Sequence, residues 1–69
     1  MTIGQAIRKM REEKGYTVSG LAKAVSIDRA NIHNWEADRN YPSLFMLMCV
    51  ADELGCTLDE LVGRKTTPK

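Results

Sequence analysis

At 69 residues the chain has room for one domain, and domains of this size bury only about 60% of the surface their unfolded chains expose, which excludes a separate catalytic lobe. Its 43% hydrophobic and 28% charged residues are ordinary for a globular domain, and Val, Ile and Thr occur singly rather than in alternating runs, so an all-helical fold is expected. The net charge of +1 falls well short of the strongly basic balance usual in nucleic-acid binders.

Five helices follow in chain order. Thr2 with Gln5 forms a capping-box pattern, and Ile3, Ala6, Ile7 and Met10 then recur at helical spacing until Gly15, which suits the position just past a helix end. Arg8, Arg11, Glu12 and Lys14 are expected on or near the wet side of this first helix. Thr17 caps a second helix in which Val18, Leu21, Ala22 and Val25 recur at i, i+3, i+4 and i+7. Ser26 and Ile27 make a very short connection, and Asp28 caps a third helix, residues 28–37, ending near Ala37. Residues 38–42 form a loop, because Asp, Asn and Pro favour turns and Tyr41 precedes a proline. Ser43 caps a fourth helix to Leu54, closed by Gly55, and Thr57 with Glu60 caps a short fifth helix closed by Gly63. The domain is expected to span residues 1–63, leaving RKTTPK at 64–69 as a flexible basic tail.

Several chemistries are set aside. Seven helical residues between Cys49 and Cys56 correspond to about 10.5 Å, too far for a disulfide, and a single histidine far away in sequence makes a zinc site unexpected. No convergent acid, base, nucleophile or metal set stands in the sequence, so neither enzyme activity, a cofactor nor a small-molecule ligand is expected. No window approaches the roughly 20 apolar residues of a membrane span, and the N-terminus lacks the apolar core of a signal peptide, so a cytoplasmic location is expected. Charge is uneven: residues 1–40 hold seven Lys/Arg against five Asp/Glu, while 41–63 hold none against four.

The stretch Leu21 to Glu36, LAKAVSIDRANIHNWE, places Ala22 in one helix, Ile27 after a tight turn, and Ile32 and Trp35-Glu36 in the next. With PSL at 42–44 and TLDELV at 57–62, this pattern resembles the helix-turn-helix of the phage Cro/repressor (Xre-like) family, from about Ile3 to Val62. The resemblance implies a five-helix lambda-repressor-like fold and a DNA-binding transcriptional regulator, by family habit a repressor. It also implies phosphate contacts from Thr17, Arg39 and Asn40, and a scaffold ion pair between Arg11 and Glu36. The family usually carries glutamine where this chain has Val18, and glycine at Ser26 and Asp38. Val18 is expected to remove one phosphate contact, and Asp38 to set a negative charge near the DNA backbone.

The residues support that implication on their own chemistry. Small Ala22 lets two helices cross closely, and Val25, Ile27, Ile32 and Trp35 wedge the angle between them. At about 100° per residue, turning Ile32 and Trp35 inward sets Ala30, Asn34 and Ala37 outward, with Asn31 and His33 flanking and Arg29 at the exposed first turn. Arg29 can donate two hydrogen bonds to guanine, Asn31 or Asn34 can pair bidentately with adenine, and Ala30 offers a methyl contact for thymine. His33 stands with them as a base contact, with a phosphate as its alternative. On most helices such a polar face is merely solvated.

LFMLMCVA at 44–51 is apolar all round. Leu44, Leu47, Met48, Ala51 and Leu54 suffice for a core stripe, which leaves Phe45, Met46 and Cys49 for a possible dimer interface or for packing against the first helix or the tail. A homodimer on double-stranded DNA would set two recognition helices about 34 Å apart on a near-palindromic site. A protein-binding module that kept the scaffold but lost DNA contact is the alternative.

Overall fold

Each helix starts where a hydroxyl or a carboxylate can take up an otherwise unpaired backbone N–H. Thr2, Thr17, Asp28, Ser43 and Thr57 all accept such a bond, from Gln5, Gly20, Ala30, Met46 and Glu60 respectively. Both expected capping boxes close fully, the second with the Glu60 carboxylate accepting from the Thr57 N–H at 2.9 Å, which holds its pKa below the usual carboxylate value. The computed structural model describes residues 1–63 as α1 (Ile3–Glu13), α2 (Val18–Ala24), α3 (Arg29–Glu36), α4 (Leu44–Leu54) and α5 (Leu58–Leu61). No strand occurs among the described residues, and the expected tail lies outside them.

The first four helices end alike. The chain turns left-handed at Gly15, Ser26, Asp38 and Gly55, with φ of +80°, +59°, +58° and +66°, and the next N–H reaches back to a carbonyl five residues earlier: Tyr16 to Arg11, Ile27 to Ala22, Arg39 to Asn34, Cys56 to Ala51. Ser26 and Asp38 occupy a conformation that usually favours glycine, and they flank α3 on either side.

α1 packs against α3 and α5, α2 against α3, and α4 against α5. Between them lies one core of Ile7, Leu21, Ala22, Ile32, Trp35, Val50, Ala51, Leu54 and Leu61, with Val25 and Ile27 packed on it. Each large side chain buried there contributes roughly 1.5–3 kcal/mol. The wedge expected between α2 and α3 is therefore present, and it fixes the rotation of α3.

Two expectations need correction. α4 keeps Leu47, Ala51 and Leu54 of the expected stripe on the core side but is rotated so that Val50 and Met46 join them, while Leu44 and Met48 stand 66% and 48% exposed. The physical reason is that residues 44–51 offer no polar side to fix the rotation, so contacts with α5 and the core decide it. Met46 is half-buried, with part of its side chain packed on the core. The other correction is Arg11, which is not on the wet side but only 8% exposed.

Candidate nucleic-acid interface

α3 carries a buried and a presented side. Ile32 and Trp35 point into the core, whereas Arg29, Ala30, Asn31 and His33 are exposed and Asn34 is half-buried at the border. The helix therefore gathers all five sequence-predicted base-contacting residues on one accessible side. The predicted phosphate-contacting residues are exposed as well: Thr17 at the start of α2, and Arg39 and Asn40 just past α3. Thr17 Oγ1 accepts the Gly20 N–H at 2.9 Å, which leaves its own proton available to donate outward. Arg39 Nη1 donates to Asn34 Oδ1 at 3.4 Å, so the loop cation touches the last of the helix's presented amides.

The expected pair of Arg11 and Glu36 is present and dry. Arg11 Nε and Nη2 donate to Glu36 Oε2 and Oε1 at 2.6 and 3.1 Å, and Nη1 donates to the Tyr16 carbonyl at 2.8 Å. The two side chains are each 10% exposed. This fork ties α1 and the α1–α2 turn to the last residue of α3, and its hydrogen bonds to Glu36 raise the guanidinium pKa further.

Three of the chain's nine acids stand at or beside α3. Asp28 caps the helix through Oδ1 on the Ala30 N–H, Glu36 is consumed by Arg11, and Asp38 turns inward. Asp38 Oδ1 accepts from the Gly4 N–H at 2.8 Å and Oδ2 from Thr2 Oγ1 at 2.7 Å. Its carboxylate is thus bonded to the start of α1. Each acid between residues 28 and 40 thus satisfies a group of the protein itself, while Arg29 and Arg39 remain exposed. A count of charges along the chain hides this separation.

Gly4 was not singled out from the sequence, yet it sets how closely α1 approaches α3. It is buried, and a Cβ there would collide with the Trp35 and Glu36 carbonyl oxygens and with Asp38 Oδ1. Its one sequence signal is a glycine inside the first turn of a helix, where alanine would be favoured by about 1 kcal/mol.

At the start of α4 and just before it, Tyr41, Leu44, Phe45 and Met48 are exposed large apolar residues, at 55%, 66%, 71% and 48%. Phe45 is among them as expected, while Cys49 is half-buried. Among the described residues no group of three or more His, Cys, Asp or Glu could hold a metal ion, and no helix is long and apolar enough to cross a membrane.

The helix-turn-helix family profile matches residues 7–61, from the core of α1 to the end of α5. The chain belongs to the Cro/repressor-like helix-turn-helix family. Over all 69 residues it is 38% identical to the immunity repressor protein of Bacillus phage phi105, and it spans about half (48%) of that protein's length. Its fold is similar to SinR, described as the master regulator for biofilm formation and solved in complex with DNA, with a TM-score of 0.81, 31% identity, and coverage of 87% of this chain and 97% of that one. It is also similar to the P22 c2 repressor protein solved with a synthetic operator, with a TM-score of 0.85, 25% identity, and coverage of 94% and 98%.

Proposed function

We propose that residues 1–63 form the DNA-binding module of a transcriptional regulator, by family habit a repressor, with α3 as its recognition helix and no catalytic role. One observation carries this reading: α3 is clamped on its inner side by Ile32, Trp35 and the Arg11–Glu36 fork while its outer side offers only cationic, amide, imidazole and methyl groups. Such a rigid helix fits a major groove about 12 Å wide. Arg29 forks to a guanine, Asn31 and Asn34 pair with adenine edges, Ala30 meets a thymine methyl, and His33 lies beside them over the bases. Thr17, Arg39 and Asn40 grip phosphates on either side. The similarity to two regulators solved on DNA supports the same reading.

The exposed Leu44, Phe45 and Met48, with Tyr41 just before them in the chain, give the module a second surface, whose occupant in this reading is another copy of the chain. A single helix-turn-helix touches few bases, and two copies related by a twofold axis would read two half-sites.

Selection from random duplexes, followed by titration at two salt concentrations, tests the proposal. Enrichment of a near-palindrome, bound with a steep salt slope and weakened by Asn34→Ala, is the expected result. Absence of any enriched sequence, together with a partner interaction lost in Phe45→Ser and kept in Asn34→Ala, would replace it with the protein-binding alternative.

A further inference from the structure

We infer that Asp38 is a positioning residue for DNA recognition, latching the start of α1 to the turn that ends α3; this rests on the reading of α3 as the recognition helix. Asp38 stands at φ +58°, a conformation in which its backbone gains nothing from being other than glycine. What the side chain adds is two bonds across the molecule, one to the Gly4 N–H and one from the Thr2 hydroxyl, groups more than thirty residues earlier in sequence. Both partners sit at the positive end of α1, where a carboxylate is favoured. Gly4 permits the approach, because any larger residue would strike the terminal carbonyls of α3 and Asp38 itself.

The latch matters through its two neighbours. The Asp38 N–H bonds the Trp35 carbonyl at 3.0 Å, and the following Arg39 N–H bonds the Asn34 carbonyl at 2.9 Å. The Arg39 guanidinium then reaches the Asn34 side-chain amide. Fixing residue 38 therefore fixes where a phosphate-gripping cation stands relative to a base-reading amide, and which side of that amide accepts from Arg39. Released from α1, residue 38 can rotate and carry Arg39 away from Asn34. Phosphate and base contacts would then no longer be made in one register.

The sign of the effect separates this role from simple repulsion. Asp38→Gly suits the left-handed backbone and removes a negative charge close to the DNA side, so a merely repulsive aspartate predicts tighter binding of every duplex. The latch predicts that Asp38→Gly in the full chain loses about tenfold on the selected duplex, the usual cost of one misread base pair, while a scrambled duplex of equal length is bound as before or more tightly. Asp38→Asn, which keeps the side-chain shape and an acceptor, should recover part of the loss. Amide hydrogen exchange at Gly4 and Arg39 should rise together in Asp38→Gly, with the buried core amides still protected. An equal gain or an equal loss on both duplexes overturns the proposal, as does exchange that rises at neither amide. If the unaltered chain prefers no duplex, the DNA reading fails, and the exchange measurement still reports whether the latch exists.

Discussion

α3 and α4 solve the same inward problem and face outward in opposite ways. Each buries a short apolar stripe, Ile32 and Trp35 in one, Val50, Ala51 and Leu54 in the other. Outward, α3 offers Arg29, Asn31, His33 and Asn34, whereas α4 offers Leu44, Phe45 and Met48. The inward stripe decides that a helix exists and how it is rotated. The outward chemistry decides what class of surface it can meet: directional hydrogen bonds suit base edges, and exposed apolar side chains suit a partner that excludes water.

Changes on the inward side should cost stability in both helices, and they are the largest effects expected. Trp35→Ala should lose about 3–5 kcal/mol and Leu54→Ala about 2–5 kcal/mol in chemical denaturation. Arg11→Ala comes next, at about 3 kcal/mol, because it strands the nearly buried Glu36 carboxylate without a partner. Outward changes should separate the two helices. Asn34→Ala should leave stability within about 0.5 kcal/mol while removing about 1–3 kcal/mol of discrimination against one base pair, measured by competition with single-site operator variants. Phe45→Ser should likewise shift stability by no more than about 0.5 kcal/mol, and its expected signature is lost self-association in sedimentation at micromolar concentration. A fall in base discrimination in Phe45→Ser as large as that in Asn34→Ala would erase the contrast between the two surfaces.

How much of this was legible in the sequence follows from the same contrast. In α3 the large apolar residues are Ile32 and Trp35 alone, so the rotation had one solution and the five outward residues followed from it. In α4 apolar residues surround the axis, and sequence periodicity could not choose between a stripe through Leu44 and Met48 and one through Met46 and Val50. The cap residues were legible because their chemistry is local, acting over two or three residues. Asp38 was not, since its bonds reach Thr2 and Gly4 across the whole helix-turn-helix. Arg11 shows both limits: as a charged residue it belongs outside by local rules, and only the family resemblance paired it with Glu36.

The left-handed closure at Ser26 has a mechanical consequence. Between the end of α2 at Ala24 and the start of α3 at Arg29 there is no slack, because Ser26 and Ile27 are bonded back to Lys23 and Ala22 and Asp28 is engaged as the cap. A helix mounted on so short a hinge cannot tilt to suit an imperfect groove. On the proposed reading the duplex must supply the compliance, and sites that differ only in how readily they bend, at base pairs the protein never touches, would be told apart by that stiffness.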